Sequence, residues 1–244
     1  MEEIANGLLG ILSFVGVIVA VLIVVVVSAV LSSLYRDHLE SSVQSHEEQQ
    51  RREERQRQVD LKHSWLNERT AETSRSSGLA PPPGGYLHTV SLLVDLSREW
   101  HQALCAAGTN TDYHIYAGGS DLYYKDVGGQ FPPVDMGVVE TQIILMSFGP
   151  TGGNWNRALA WGNRNRLKVT DPRHVFAIGE QKPEFHHELM SNELKVSSTK
   201  EFISNTTDCR IACQVCWHGD KLGACMERIE EIHDNHDWFA FVRE

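Results

Sequence analysis

Three cysteines stand close together in CRIACQVC, where Cys209, Cys213 and Cys216 make the spacing C-x3-C-x2-C. Thiolates are soft, electron-rich ligands, and this spacing can hold three irons of a four-iron cluster. Adding His218 or Cys225 permits a zinc site, although the gaps are not those of a standard pair of knuckles. The chain has five cysteines. In an oxidising compartment the simpler outcome is disulfides, with one thiol of the odd number left free or pairing between chains. The spacing does not say which.

A different chemistry is open to the loop FGPTGGN, Phe148 to Asn154, which falls between a predicted strand and a predicted helix. Glycines there let a phosphate approach backbone N–H groups, and a helix N-terminus favours negative charge. Arg157, Arg164 and Arg166 follow it and can neutralise a diphosphate through charge-assisted hydrogen bonds. The loop lacks the Lys-Ser/Thr ending of a P-loop and the full dinucleotide fingerprint, so a plain tight turn is the competing reading. In EFHHELM, His186, His187 and Glu188 offer imidazoles and a carboxylate. Adjacent helical residues point in different directions, so this reads as an ordinary helix start after Pro183. His233 and His236, beside Asp234 and Asp237, read as a solvated turn. Asn205 opens Asn-Thr-Thr, a glycosylation acceptor pattern.

Positioning such groups requires a framework, and the chain predicts one in pieces. Residues 1–7 form a short tail. From Leu8 to Leu34 no charge and no proline interrupts the sequence; as a helix this run is about 40 Å long, against a hydrocarbon core of about 30 Å. It is too long for a signal peptide and is preceded by Glu2 and Glu3 rather than by basic residues, so a transmembrane helix is expected. Residues 35–73 are rich in Glu, Gln and Arg and predict a charged, solvated helical stalk. A linker follows at 74–85, marked by SRSSG and three consecutive prolines. The net charge of −10 excludes the usual nucleic-acid binder, which presents a basic face to phosphates.

Over 86–244 the apolar pattern alternates between short runs and helical periods. Strands are predicted at 86–96, 111–119, 138–149, 173–179 and 237–244. Helices are predicted at 97–108, 154–165, 182–194 and 220–236, the last from Leu222, Met226, Ile229 and Ile232 at helical spacing. That alternation implies an α/β domain with a largely parallel, covered sheet.

Taken together, TQIILMSFGPTGG, RALAWGNRNRL, HVFAIGE and DKLGACMERIEEIHDNHDWFAFVRE resemble, over about residues 141–244, the fringe and core-1 galactosyltransferase family of β-1,3-glycosyltransferases. Ala160, Trp161 and Gly162 stand where that family's Ala-rich helix ends in Thr-Trp-Gly. The last segment is similar to its lysine-led helix, acidic or His-containing turn and Asp-Trp-Phe strand. The resemblance implies a GT-A-like nucleotide-sugar-binding α/β domain, incomplete at its C-terminus, and a single-pass, Golgi type II membrane protein. It implies inverting transfer from a UDP-sugar to a glycan or glycoprotein hydroxyl. Ser147 and Arg157 would then contact the nucleotide sugar and Trp161 would pack. Mn²⁺ is expected for the family, held by an Asp-x-Asp motif that would begin at or just after Glu244 and is absent from this chain, so little transferase activity is expected of these 244 residues. The catalytic residues are not identified. The competing expectations are a non-catalytic membrane-tethered scaffold and a cysteine-cluster metal protein. Expected partners are the lipid bilayer, a UDP-sugar with its acceptor, and a second copy pairing through the stalk or a free cysteine.

Overall fold

The computed structural model describes residues 28, 32–33, 47–108, 127–204, 208–232 and 236–243. Its contacts divide the chain into two units, 1–60 and 61–244. In the first unit, residues 47–60 are helical and exposed. Neighbours four apart support one another there: Gln49 Nε2 donates to Glu53 at 3.1 Å and Gln56 Nε2 to Asp60 at 2.9 Å.

Among the described residues no helix is long and apolar enough to cross a membrane. This corrects the expectation of a single-pass, Golgi type II membrane protein with an N-terminal transmembrane helix. The physical reason lies in composition: the long helical stretch that is described, 47–77, is dominated in its first half by Glu, Arg and Gln. The apolar run at 8–34, apart from Ser28, Ser32 and Ser33, lies outside the described residues.

The second unit opens with helical residues 61–77 (α1), on which Leu66, Thr70, Thr73 and Ser77 are buried. Seven strands follow in one sheet: β1 (Tyr86–Asp95), β2 (Val138–Ser147), β3 (Lys168–Val169), β4 (Glu193–Ile203), β5 (Arg210–His218), β6 (Lys221–Arg228) and β7 (Asp237–Val242). Their order is β1-β2-β7-β4-β5-β6, with β3 also on β7. Further helices among the described residues include α2 (Trp100–Ala106), α3 (Trp155–Arg164), α4 (Pro172–Gln181) and α5 (Phe185–Glu188).

The sheet is mixed rather than largely parallel, because only β4 and β7 run parallel while the other neighbours are antiparallel. Two misread elements account for part of the difference, and the strands β4 and β5, which the sequence reading did not assign, for the rest. Residues 173–179, predicted as a strand, lie in α4. Asp171 caps that helix by accepting from the Arg173 N–H, and Pro172 fits its first turn, while Pro172 to Gly179 are all buried. Its short continuous apolar run, Val175 to Ile178, cannot be told from a buried strand by periodicity. Residues 220–236, predicted as a helix, instead begin with β6. Leu222, Ala224 and Met226 face one way, and Cys225 faces the other and is disulfide-bonded to Cys216. The predicted helix at 182–194 shortens to α5, with β4 starting at Glu193. The predicted strand at 111–119 lies outside the described residues.

Both faces of the sheet are covered. Val90, Leu92, Ile143, Leu145, Val196, Val215, Trp217 and Ala240 pack under α2, α4 and α5, with Leu66 of α1 in the same cluster. Leu87, Ile144, Met146, Phe239 and Phe241 pack under Trp155, Ala158 and Trp161 of α3. The segments of β2 and β7 at the centre of the sheet, Ile143 to Met146 and Trp238 to Val242, are therefore apolar without alternation. The edge strand β1 has backbone groups clamped by side chains. Thr70 serves both the N–H and C=O of Leu87, and Gln181 serves both of Leu93, at 3.2 and 2.6 Å. Clamps of this kind blunt an edge that would otherwise invite another strand.

β7 changes partner along its length. β4 pairs with it from Asp237 to Ala240, and β3 takes over at Phe241 and Val242. At the changeover the Thr170 and Thr199 N–H groups each donate to the other residue's hydroxyl at 3.0 Å. Both hydroxyls donate to the Ala240 carbonyl, at 3.0 and 2.6 Å, and Ser198 Oγ donates to the Thr170 carbonyl at 2.7 Å. To reach these partners β4 leaves its register with β5 between Ser197 and Glu201. Valine matches threonine in shape but offers no hydroxyl, so Thr199→Val strands the buried Thr170 N–H and is expected to cost about 1–3 kcal/mol. Urea denaturation measures this; a loss below about 0.5 kcal/mol would show that the junction contributes little.

Candidate functional site

Two clefts open on the α2/α4 face. The first, about 350 Å³, holds Asp95, Arg98, Arg173, Glu180 and Gln181 over Ala103 and Phe176. Its polar groups are committed to one another. Arg98 meets Glu180 at 2.7 Å, and Asp95 accepts from both Ser97 N–H and Ser97 Oγ. The buried Arg173 donates to the Arg98 carbonyl at 2.8 Å, the Phe131 carbonyl at 2.9 Å and Asp171 at 3.2 Å. A cation with that many partners is a fastener.

The second cleft, about 380 Å³, is built differently. Cys105, Ala106 and Gly108 come from the end of α2 and beyond, Gly179 and Glu180 from α4, and Pro183, Glu184, His186 and His187 from the turn into α5. Trp217 belongs to β5, and Asp220 and Leu222 to the turn and start of β6. Gly179 is required by close packing: a Cβ there would lie 2.1 Å from the Ala107 carbonyl oxygen and 2.8 Å from Val215.

Phe185 anchors the α5 segment. Its ring is fully buried, 5.5 Å from the His88 ring and 6.1 Å from Trp217. Trp217 Nε1 donates to the Pro183 carbonyl at 2.8 Å, and the Ser191 N–H donates to the His186 carbonyl at 2.9 Å. These ties hold His186 at the cleft with only 4 % of its surface exposed, its ring stacked near Trp217 and 3.8 Å from His187. Neither ring nitrogen has a hydrogen-bond partner, and among the described residues His186 is the only side chain with two buried polar atoms unmatched. Burial chiefly, and then neighbouring His187, hold its pKa below the usual histidine range. Glu184, Asp220 and the Pro183 carbonyl oppose the shift.

The electrostatic balance of this cleft is one-sided. Glu180, Glu184 and Asp220 line it, and among the described residues no lysine or arginine does. Glu180 is engaged by Arg98 from the first cleft, and Glu184 lies 3.2 Å from His187 Nε2. Cys105 is the exposed member of the three free cysteines, and its Sγ is 3.6 Å from His101 Nδ1 one helical turn back.

The residues singled out in the sequence fall elsewhere. Ser147 is buried at the end of β2, where its Oγ accepts from the Gly149 N–H at 3.2 Å. Arg157 is on α3, its guanidinium 4.5 Å over the Phe148 ring and its Nη1 donating to the Gly152 carbonyl at 3.4 Å. Gly153 is needed beside that ring, since a Cβ there would fall 1.7 Å from Phe148 Cδ2. The Asn154 side chain caps α3 through the Arg157 N–H. Ser147 and Arg157 thus share one loop, each bonded to that loop's own backbone. Asn205 lies outside the described residues. The cysteine cluster divides: Cys213 points into the α2/α4 core, while Cys216 faces the other way and is bonded to Cys225. Among the described residues no group of three or more His, Cys, Asp or Glu could hold a metal ion.

His186 and Cys105 carried a weak signal in the sequence, a histidine pair and a His-x-x-x-Cys turn. Nothing local joined them to Asp220, more than thirty residues later. No family model, no curated protein and no solved structure matches this chain. The functional reading therefore rests on the geometry.

Two consequences of the buried histidines are measurable. His88 is held down to about 4, chiefly by burial, and His174 and His186 shift the same way. An unfolded histidine takes a proton near pH 6.5, which the folded His88 refuses until about 4. Its contribution is complete above 6.5 and lost as the pH falls to about 4, by roughly 3 kcal/mol. Urea titrations between pH 7.5 and 4.5 should show this fall, and His88→Phe should flatten it; an unchanged slope in the variant would assign the pH dependence elsewhere. His186→Phe removes two unmatched polar atoms and should raise stability by roughly 1 kcal/mol. A lower melting temperature would instead make the imidazole a structural element.

Proposed function

We propose that this chain is a binding protein for a small organic cation, an amine carrying an apolar body, held in the second cleft. The observation that carries the reading is an acidic lining, in which Asp220 and Glu184 face the cleft and no lysine or arginine is among the described lining residues, although Glu180 is taken up by Arg98 and Glu184 lies against His187. The cleft is of ligand size and has the usual composition, apolar surface with a few convergent polar groups. Ala106, Trp217 and Leu222 supply the apolar part. An ammonium group placed beside Asp220 and Glu184 gains the carboxylate charges through charge-assisted hydrogen bonds.

A nucleotide sugar has the opposite sign. Its diphosphate would meet repulsion in this cleft. A transferase reading would have to use the β2–α3 loop instead, where Ser147 and Asn154 already cap backbone N–H groups.

Three molecules of similar size and different charge make the test: 2-phenylethylamine, 2-phenylethanol and phenylacetate. The amine should raise the melting temperature in a concentration-dependent way, by about 2.7 kcal/mol of stabilisation at one hundred times its Kd. Phenylacetate should not, and Asp220→Asn combined with Glu184→Gln should remove most of the amine effect. Equal stabilisation by phenylacetate, or no effect of the amine up to its solubility, would overturn the reading.

A further inference from the structure

We propose that the disulfide between Cys216 and Cys225 is a reversible exchange site for dithiols, with Gln214 as the positioning residue that favours its reduced form. The proposal does not depend on the amine-binding reading.

Gln214 stands opposite Cys225 across β5 and β6, and Cys216 lies two residues further along β5, so the three side chains share the face turned away from α2 and α4. Gln214 is fully buried, and its Nε2 donates to the equally buried Ser197 Oγ at 2.9 Å. That contact turns Oε1 toward the sulfurs, 3.3 Å from Cys225 Sγ and 3.7 Å from Cys216 Sγ. Among the described residues the two sulfurs are the only hydrogen-bonding neighbours of this oxygen. A disulfide carries no S–H, so while the bond is intact a buried acceptor has no donor, which is costly. A thiol is a weak donor, and reduction supplies what the oxygen lacks. The two redox states therefore differ by a hydrogen bond that only the reduced one makes.

The fold does not lean on this bond. It joins residues nine apart, and a short loop restricts the unfolded chain less than a long one. The folded hairpin has its own ladder, from Ile211 opposite Arg228 to His218 opposite Lys221, so opening the bond leaves the strands paired. Cys225 is half-buried and Cys216 is buried, so an incoming thiolate meets Cys225 first. Cys213 is fully buried on the other face and takes no part. One thiolate of the dithiol attacks Cys225 Sγ, the S–S bond breaks, and Cys216 leaves as a thiolate that takes up a proton. The second thiolate of the dithiol then attacks its own sulfur in the mixed disulfide, which releases Cys225 and closes a cyclic disulfide. Two electrons and two protons pass from the dithiol to the cysteine pair, and the reverse sequence restores the bond.

The test equilibrates the full chain with mixtures of reduced and oxidised dithiothreitol, without denaturant, and reads the state of each cysteine by differential alkylation and peptide mass spectrometry. Cys216 and Cys225 should titrate together in one reversible two-electron step while the far-ultraviolet circular dichroism stays unchanged. Gln214→Met keeps the side-chain length and removes the acceptor, and should lower the equilibrium constant for reduction about fivefold. The partner lost by Ser197 is lost in both redox states, so it cancels from that ratio. Infrared difference spectra of the unmodified chain, reduced minus oxidised, need no variant: the new S–H stretching band should lie below that of a thiol in an apolar solvent, as a hydrogen-bonded S–H requires. Should Gln214→Met not fold, this band decides alone. Reduction only after urea unfolds the chain, a Gln214→Met constant within about twofold of the original, or an S–H band at the apolar-solvent position would each overturn the proposal.

Discussion

The carbonyl of Ala240 accepts two buried hydroxyls, from Thr170 and Thr199, and the architecture turns on that point. A carbonyl oxygen has two lone pairs, and here both are used by side chains at the place where β7 passes from β4 to β3. Without this splice the end of β3 and the bulged part of β4 would bury unpaired backbone groups, each costing as much as a lost hydrogen bond. β7 could then not join both halves of the sheet. On one side of it stand β1 and β2, and on the other β4, β5 and β6. The second cleft needs both halves. Trp217 and Leu222 come from β5 and β6, while the α5 segment is braced by Phe185 against His88 of β1.

Arg173 extends the same constraint to the helical layer. Burying a guanidinium is expensive unless its donors are matched, and three partners from three segments match it. The result is that α4 cannot slide relative to the start of α2 or to the turn at 127–131. With its N-terminal end fixed in this way, its C-terminal end brings Gly179 against Ala107 and Val215, a contact with no room for a side chain. The same helix therefore closes one cleft with ion pairs and forms a wall of the other.

Much of the fold was legible because it is carried by local signals. The strands at 86–95, 138–147 and 237–242 and the helix at 155–164 sit within a few residues of their sequence readings, each marked by apolar runs or by the Asn154 cap. The failures share a cause. In α4 the short apolar run Val175 to Ile178 reads as a strand as readily as a helix, and in β6 the i, i+4 spacing of Leu222 and Met226 fits a strand face as well as a helix face. The pairing of Cys225 with Cys216 decides that case, and it depends on strand register rather than on spacing. Parallel or antiparallel character depended on these two elements and on β4 and β5, which the sequence reading did not assign. The candidate site was scarcely legible, since its residues come from several segments between Cys105 and Leu222 and are joined only by the sheet.

Burial of histidine is not itself the mark of a site. His88, His174 and His186 are all pushed toward the neutral form by loss of water, yet their surroundings differ. His174 spends Nδ1 on the Asp171 carbonyl at 3.0 Å, as part of the α4 cap. His88 leaves only Nδ1 unmatched and faces the Phe185 ring, where an apolar neighbour makes the imidazole a packing element. His186 has two unmatched nitrogens and borders open volume with carboxylates around it. A polar group in that position lowers the stability of the empty protein, since the same space could be filled by an apolar ring at no such cost.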